Sequence, residues 1–318
     1  MSYLAELTLR LAGGVSRLDE ATRSRHASWL VAQQRDDGGF AGRDGPSDLY
    51  YTGFALRSLA LCGVLDGSVA QRAAAYLQAN LRRQVPIIDF LSLVYGAMLL
   101  EASAGIDVFA ASAPGWREAV ATELERFRRA DGGYAKTDEG QSSSTYYTFL
   151  MLVCNELIGR APIEPARLVE FVRSRQRADS GFVELGPMQT SGTNPTAAAI
   201  GALKLLGALD DATRQTTAEF LLDMQTDEGG LRANTRIAIA DVLSTFTGLL
   251  TLGELDALRD VDLPAASRYV REVESTEGGF RGAAWDDAVD VEYTFYGLAA
   301  LALIKNEQER QMHTDEHG

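Results

Sequence analysis

The chain has 318 residues and is 46% hydrophobic, which is enough to bury a large core. Its formal net charge of −14 at pH 7 excludes nucleic-acid binding as a function, because binding to phosphates requires a basic surface. No purely apolar run reaches the ~18 residues of a membrane span, and the N-terminus shows no secretory signal. Only two cysteines occur, Cys62 and Cys154, both in apolar segments, so we expect reduced thiols and a cytoplasmic protein.

Residues 1–18 are predicted to form an amphipathic helix that packs on the rest of the protein. After them, one short sequence motif, which we call the phrase, recurs five times. Its copies end at Phe40, Tyr134, Phe182, Leu231 and Phe280. The last three gaps are 48, 49 and 49 residues, and the first gap of 94 is two units of 47. This period predicts a repeat protein in which residues 19–304 form one domain of six units. Residues 305–318 are expected to form a polar tail that frays.

Each unit is predicted to contain an amphipathic helix followed by an almost entirely apolar one, which is therefore buried. The glycines of the phrase, such as Gly38, Gly132 and Gly229, are expected to stop the first helix in a left-handed cap. In the second unit, a loop at residues 84–86 takes the place of the phrase. The buried helices are predicted near residues 48–63, 89–104, 143–158, 194–208, 241–254 and 290–304. The fold class is all-α, an α/α toroid of six helix pairs whose twelve helices form an inner and an outer ring.

The N-terminal ends of the six buried helices are predicted to gather at one mouth of the toroid. Polar residues stand at these ends: Asp48, Ser143, Thr193, Asp241 and Asp290. Aromatic residues that we expect to line a central cavity collect near the mouth: Tyr50, Tyr51, Tyr146, Tyr147, Tyr293, Phe246 and Trp285. Helix capping and ordinary core packing are the simpler explanations for each single residue.

The phrase Q-x-x-x-GGF, followed by a helix of the type YYTxxALxxL, resembles the repeat shared by protein prenyltransferase β-subunits and squalene-type terpene cyclases. The resemblance covers about residues 20–304. Two segments match more sharply. Residues 229–246 look like the prenyltransferase stretch GGLxGRxxKxxDxCYSxW, and residues 290–298 look like DxYHTxxxLxGL. The resemblance implies an isoprenoid-handling protein.

In the prenyltransferases, these two segments carry a catalytic zinc held by an aspartate, a cysteine and a histidine. Asp241 matches the aspartate, but Leu243 and Tyr293 stand at the cysteine and histidine positions. A catalytic zinc needs about three protein ligands, so we expect a bacterial-type member of the family without zinc. Mg²⁺ held by carboxylates remains open as a cofactor. His313 and His317, in the predicted tail, are expected to be solvated.

Residues 290–294, with the sequence DVEYT, are similar in layout to the cyclase acid motif DxDDT, whose middle carboxylate protonates an alkene or epoxide. The resemblance puts Glu292 at the acid position, and an apolar environment can give such a carboxyl group the raised pKa that a general acid needs. The residues expected to act in catalysis are Asp290, Glu292 and Asp241. The basic residues expected to bind a diphosphate are Arg232, Arg236 and Arg281, with Arg43 as a further candidate.

Three functions follow from these observations. The first is a prenyltransferase-like or terpene-cyclase-like enzyme that binds a prenyl diphosphate, a polyprene or another small hydrophobic ligand. The second is a catalytically silent toroid that acts as a binding or scaffold protein, which the missing zinc ligands favour. The third is a carbohydrate-active enzyme with paired carboxylates such as Asp241 and Asp290. The sequence leaves open whether the chain forms a homodimer or has a partner subunit.

Overall fold

The computed structural model describes residues 2–81, 86–110, 112 and 114–315. In this part of the chain, the structure contains thirteen α-helices and one short 3-10 helix. The helices are α1 (Tyr3–Ser16), α2 (Glu20–Ala32), α3 (Leu49–Leu61), α4 (Gly67–Asn80), α5 (Ile87–Ala104), α6 (Trp116–Glu125), α7 (Thr145–Leu157), α8 (Pro165–Ser174), α9 (Thr193–Leu205), α10 (Asp211–Leu222), α11 (Val242–Glu254), α12 (Leu263–Glu272) and α13 (Val291–Asp315). The all-α prediction is confirmed. Residues 84 and 85 of the predicted loop, and His317, lie outside the described residues.

The six predicted buried helices correspond to α3, α5, α7, α9, α11 and α13. Each is preceded by a helix with a more exposed face, so twelve of the thirteen helices form the predicted pairs and α1 is the predicted N-terminal helix. The sequence analysis located these helices because an apolar helix and an amphipathic helix differ along their whole length.

The chain divides into two compact units. The first comprises residues 3–113 and 267–318, and the second comprises residues 114–266. In the first unit, α3 packs against α1, α2, α5 and α13, while α1 also packs against α13. In the second unit, α9 packs against α7, α8 and α11, and α10 packs against α11.

The repeated phrase forms the same buried contact in all five units that contain it. Its last residue is an aromatic side chain, or Leu231, that is at most 1% exposed. The backbone N–H of this residue donates a hydrogen bond of 2.9–3.2 Å to a buried threonine hydroxyl in the following apolar helix. The five pairs are Phe40 with Thr52, Tyr134 with Thr148, Phe182 with Thr196, Leu231 with Thr245, and Phe280 with Thr294. Each phrase is thereby fastened to the start of the helix that follows it.

The glycines of the phrase do not cap the preceding helices, so this prediction is wrong. Helix α2, for example, ends at Ala32, and its C-cap Gln33 has right-handed α geometry. Gly38 lies farther along the chain, in a turn closed by the hydrogen bond from its N–H to the Arg35 carbonyl (2.9 Å). Its φ of 86° explains why glycine is favoured there, as does the close approach of the Arg72 carbonyl. The phrase is a turn with its own geometry.

The C-terminal run does not fray after residue 304 as expected, because α13 continues to Asp315. Contacts with α1 hold the extension in place. Asn306 donates to the Arg10 carbonyl (2.9 Å) and accepts from Arg17 (2.9 Å), and Arg17 also forms an ion pair with Glu309. A polar segment can therefore remain helical here because a neighbouring helix supplies its hydrogen-bond partners.

One described helix, α5, is long and apolar enough to cross a membrane by length and composition. More than half of it is buried within the structure, and it packs against α3 and α4. The core helix of a globular protein meets the same criterion, and α5 has the contacts of a core helix.

Two short strands lie directly before α13. Strand β1 (Phe280–Arg281) pairs with β2 (Val289–Asp290) in antiparallel register, with Phe280 opposite Asp290. This hairpin fixes Asp290 at the start of α13 and carries Asp286 in its connecting loop. The sequence analysis did not predict it.

Candidate active site in the first unit

Three of the five predicted mouth residues, Asp48, Asp241 and Asp290, are helix caps, and the cap of α7 is the neighbour of the predicted Ser143. The side chains of Asp48, Ser144 and Asp241 each accept a hydrogen bond from the backbone N–H three residues later, at 2.7, 3.0 and 2.6 Å. Asp290 accepts from the Tyr293 N–H in the same way (2.9 Å). The residue that caps α7 is Ser144, whereas Ser143 donates to Asp131 (2.6 Å). At the fourth unit the prediction is wrong by one position, because the cap of α9 is Gly192. Thr193 instead donates to the Arg232 carbonyl (2.6 Å).

Asp290 has a second role in an ion-pair network with Arg43 and Asp286. Arg43 Nε donates to Asp290 Oδ2 (3.0 Å), and Nη1 donates to Asp286 Oδ1 (3.0 Å). Arg43 Nη2 bonds to Asp286 Oδ2 and donates to the Ala288 carbonyl (3.1 Å). The guanidinium also lies over the ring of Tyr293, with Cζ 5.4 Å from the ring centroid. This cation is thus already satisfied by two carboxylates, a carbonyl and an aromatic face.

The two carboxylates of this network differ in their pKa. Burial raises the pKa of Asp286, but hydrogen bonds from Arg43 and from the Ala288 and Gly282 N–H groups outweigh it, so the pKa lies below the ordinary value. Asp290 is only 6% exposed, and its burial raises its pKa above the ordinary value although Tyr293 N–H and Arg43 oppose the change. Hydrogen bonding to Asp286 and Asp290 raises the pKa of Arg43. The network therefore keeps its arginine charged.

Glu292 lies in the first turn of α13 and is held by two tyrosines. Tyr50 of α3 donates to its Oε1 (2.6 Å), and Tyr296, one turn farther along α13, donates to the same oxygen (3.2 Å). Within the described part of the chain, Oε2 has no hydrogen-bond partner. Burial raises the pKa of Glu292 above its ordinary value, and the nearby charge of Asp290 adds to this, while the Tyr50 hydroxyl opposes it. Glu292 therefore retains its proton at a higher pH than an exposed glutamate.

Aromatic rings from α3 and α13 surround this carboxyl group. Tyr50 contacts Phe54 with their ring centroids 5.0 Å apart, and Phe54 contacts Tyr296 and Phe295 at 5.2 and 5.6 Å. Tyr293 lies 6.3 Å from Tyr296, and Tyr51 lies 5.2 Å from Tyr50. We call these six residues the aromatic cluster: Tyr50, Tyr51, Phe54, Tyr293, Phe295 and Tyr296. Rings in such edge-to-face and tilted contacts can present an apolar surface with negative faces.

The structure brings together part of the predicted site. The aromatic cluster contains the predicted residues Tyr50, Tyr51 and Tyr293, and it surrounds Glu292. Trp285 is 71% exposed and takes no part in the cluster. Arg281 donates to the Glu272 carbonyl rather than to a carboxylate.

The remaining predicted residues belong to the second unit. Both carboxylate oxygens of Asp241 accept hydrogen bonds from Ser244, from its N–H (2.6 Å) and its hydroxyl (2.8 Å). Arg232 donates to the Asp223 carbonyl (3.1 Å), and Arg236 is exposed. Phe246 is buried, whereas Tyr146 is exposed and meets Tyr147 edge to face. In the second unit, Asp241 is therefore a helix cap, the two arginines lie in a loop, and the aromatic residues make local packing contacts.

The residues at the positions that bind zinc in prenyltransferases do not provide suitable zinc ligands in this chain. Leu243 has no donor atom, and Asp241 is occupied by Ser244. Cys62 and Cys154 are not joined in a disulfide, and burial raises the pKa of both thiols to about 12. Among the described residues, no three His, Cys, Asp or Glu side chains are grouped so that they could share a metal. We therefore derive no chemical step through zinc.

Sequence reasoning missed two features of this site. It treated Arg43 as a candidate for phosphate binding, because the pairing with Asp290, 247 residues away, has no local signal. It also passed over Arg57, although a single charged residue in the apolar helix α3 is a signal in itself. The guanidinium of Arg57 lies beside the aromatic cluster.

The sequence of the chain matches the model of a known protein family. The model of the family described as the prenyltransferase alpha-alpha toroid domain matches residues 1–88 and 134–317. The chain belongs to this family. The predicted α/α toroid is thereby confirmed. A comparison with curated protein sequences finds no match.

Solved structures of other toroid proteins are similar to this chain. Protein geranylgeranyltransferase-I of Candida albicans, complexed with GGPP, has a TM-score of 0.73 at 16% identity, over 90% of this chain and 92% of that one. The type II terpene cyclase MstE from Scytonema has a TM-score of 0.62 at 14% identity, over 93% and 99% of the two chains. A variant of MstE in complex with geranylgeranyl dihydroxybenzoate, described as its substrate, has a TM-score of 0.61 at 14% identity and covers 95% and 98%. At these identities, the likeness shows the fold.

Proposed function

We propose that this toroid protein is a terpene-cyclase-like enzyme in which Glu292 protonates a carbon–carbon double bond or an epoxide of an isoprenoid. The observation that carries the proposal is the environment of Glu292. Its carboxyl group is half-buried beside aromatic rings, its pKa is raised, and one of its oxygens has no hydrogen-bond partner in the described chain. A general acid of this kind must hold its proton until an apolar substrate arrives.

The proposed step moves one proton. Glu292 releases the proton from Oε2, and the π electrons of the double bond form the new C–H bond, which leaves a carbocation on the neighbouring carbon. Tyr50 and Tyr296 donate to Oε1 and stabilise the carboxylate that remains. Further double bonds of the same isoprenoid then attack the cation in turn, until loss of a proton ends the sequence. The product is an isomer of the substrate, so no other reactant is needed.

The aromatic cluster supplies the surroundings that such a carbocation requires. The negative faces of its rings attract a cation by roughly 0.5–2 kcal/mol for each ring. The Asp290 carboxylate, kept in place by Arg43 and the Tyr293 N–H, adds negative charge beside Glu292. Asp290 therefore acts here as a positioning residue that raises the pKa of Glu292.

The two other reaction classes have less support. Prenyl transfer from a diphosphate has less support at this carboxyl group, because Arg43, the arginine beside Glu292, is already bonded to Asp286 and Asp290. Glycoside hydrolysis through Asp241 and Asp290 requires two available carboxylates, whereas both oxygens of each are already hydrogen-bonded.

A cytoplasmic location and a reaction without zinc are part of the proposal, on the sequence arguments given above. Mg²⁺ would enter only with a substrate that carries a diphosphate.

The direct test is turnover of geranylgeranyl compounds, chosen because the similar structures were solved with such ligands. Purified protein would be incubated with geranylgeranyl dihydroxybenzoate and with geranylgeraniol, and the products separated by mass spectrometry and examined by NMR. We expect a product of unchanged mass that has lost double bonds. Glu292→Gln keeps the shape of the side chain and should abolish this product without changing the melting temperature by more than a few degrees.

Asp287→Asn is the matched control, because Asp287 is an exposed carboxylate in the loop that connects β1 and β2, five residues before Glu292. Its activity should equal that of the wild type. If Glu292→Gln cyclises the substrate at the wild-type rate, the proposed acid is wrong. If the wild type binds geranylgeranyl compounds without converting them, a binding toroid without catalysis explains the protein better.

A further inference from the structure

Arg57 is the one charged residue of helix α3, and it lies on the same face as Tyr50 and Phe54. The three residues are spaced at i, i+4 and i+7, which places them in one stripe along the helix. Most of α3 is buried, but Tyr50 and Arg57 keep partial exposure. The stripe therefore extends the aromatic cluster toward the C-terminal end of α3 and adds a positive charge there.

Three aromatic rings surround the guanidinium of Arg57. Its Cζ lies 4.9 Å from the centroid of Phe54, 5.1 Å from that of Tyr95 and 5.8 Å from that of Phe295. These distances fall within the range of cation–π attraction. Tyr95 is itself held by hydrogen bonds to Thr8 and to the Leu4 carbonyl (3.1 Å). The rings thus fix the position of the cation.

The same guanidinium has no hydrogen-bond acceptor among the described residues. Its Nε is buried and unpartnered, and neither Nη forms a hydrogen bond or an ion pair with the described chain. By contrast, Arg43 and Arg175 are bonded to carboxylates, as is common in a chain with a net charge of −14. Leaving the buried Nε–H without an acceptor is unfavourable, and the two Nη groups add four N–H donors that no described residue accepts. A ligand with anionic oxygens would satisfy them.

We propose that Arg57 binds the anionic group of an isoprenoid ligand, a carboxylate or a phosphate, through two parallel N–H···O hydrogen bonds. The inference rests on the proposed function for the isoprenoid part of the ligand and adds its charged part. Phe54 lies between Arg57 and Tyr296, whose hydroxyl bonds to Glu292. The bound anion would therefore fix the distance from the charged group of the substrate to the double bond that receives the proton. Arg57 would select substrates by charge and by the position of the reacting bond.

The experiment compares three probes that share one hydrocarbon chain: geranylgeranoic acid, geranylgeranyl monophosphate and geranylgeraniol. Dissociation constants would be measured by isothermal titration calorimetry for the wild type and for Arg57→Met, Arg57→Lys and Arg35→Gln. Arg57→Met keeps an apolar side chain of similar length against the rings. Arg35 is an exposed arginine and serves as the control.

We expect the wild type to bind at least one anionic probe about tenfold more tightly than the alcohol, a difference of ~1.4 kcal/mol. Arg57→Met should remove this preference while leaving the affinity for the alcohol unchanged, and Arg57→Lys should keep part of it. Arg35→Gln should behave as the wild type. The better anionic probe distinguishes a carboxylate site from a phosphate site.

Three results would overturn the inference: equal binding of all three probes to the wild type, an anion preference that survives in Arg57→Met, or no binding of any probe. Loss of affinity for the alcohol in Arg57→Met would also overturn it, because this result indicates a role in packing alone. The outcome is separable from that of the proposed function. Glu292→Gln should lose turnover and retain the anion preference. A wild-type protein that shows the anion preference but no turnover would refute the acid role of Glu292 and leave the anion site standing.

Discussion

Two carboxylates two residues apart, Asp290 and Glu292, have different roles because their partners differ. Both oxygens of Asp290 are used, one by the Tyr293 N–H and one by Arg43. Glu292 uses one oxygen for two tyrosines and keeps the other available. The sequence identified both residues through the DVEYT segment, but it did not distinguish their roles, because Arg43 and Tyr50 come from distant parts of the chain.

Turnover should depend on pH through the protonation of Glu292. A general acid must be protonated, so the rate should fall as the pH rises through the raised pKa of Glu292. Tyr50→Phe removes a hydrogen bond that lowers this pKa. The fall in rate should therefore shift to higher pH in Tyr50→Phe, and the maximal rate should drop because the product carboxylate is less stabilised. Profiles of kcat against pH for both proteins measure the shift, and an unchanged or downward-shifted midpoint would count against Glu292 as the acid.

At the scale of elements, the repeat was predictable because five copies of one phrase fixed both the period and the positions of the apolar helices. The turn geometry of the phrase was not, because Gly38 adopts a positive φ in a turn beyond the helix and not at its end. The helical C-terminus was also missed, since its stability comes from contacts with α1. The local sequence pattern predicts a helix well where the helix is apolar and periodic. It predicts poorly where contacts with residues far away in the sequence determine the local structure.

The threonine that accepts from each phrase should contribute to stability. Thr196→Val keeps the volume of the side chain but leaves the buried N–H of Phe182 without an acceptor. We expect a loss of about 1–3 kcal/mol in the free energy of unfolding. Thr216→Val, in the exposed part of α10, is the matched control and should change stability by a few tenths of a kcal/mol at most. Urea denaturation of the two variants measures both values, and equal losses would show that the shared hydrogen bond has no special role.

Glu274, a buried carboxylate that joins α2 to the phrase ending at Phe280, should make stability depend on pH. Burial raises the pKa of Glu274, but hydrogen bonds from His26 and Arg271 outweigh it and hold the pKa at about 2. The folded pKa is thus depressed, so the stabilisation is present above the ordinary glutamate pKa and is lost as the pH falls through about 2. Glu274→Gln should cost about 1–3 kcal/mol at neutral pH and progressively less in acid.

The measurement for Glu274 is the free energy of unfolding by urea at several pH values. Glu277→Gln, at an exposed position of the same phrase, should follow the wild type throughout. A difference between Glu274→Gln and the wild type that stays constant from neutral pH to pH values near 2 would contradict the depressed pKa.

At the scale of the whole molecule, the fold was predictable and the reaction was not. The period of the phrase and the alternation of amphipathic and apolar helices predicted the toroid of the family, which similar structures share at 13–16% identity. One fold supports different reactions, and the function depends on the site that the fold carries. Here that site depends on pairs such as Tyr50 and Glu292, which lie 242 residues apart in the sequence and meet through folding. Arg57 could be recognised as a candidate anion-binding residue only from its neighbours in the structure.

The central claim, that Glu292 donates a proton to a carbon atom of the substrate, is tested most directly by isotope incorporation. The protein would be equilibrated in D₂O, where the carboxyl proton of Glu292 exchanges for deuterium, and then given geranylgeranyl dihydroxybenzoate. The account predicts a cyclised product that carries deuterium at the carbon that was protonated, formed by the wild type and by Asp287→Asn and absent with Glu292→Gln. A cyclised product without deuterium, or a deuterated product formed by Glu292→Gln at the wild-type rate, would contradict it.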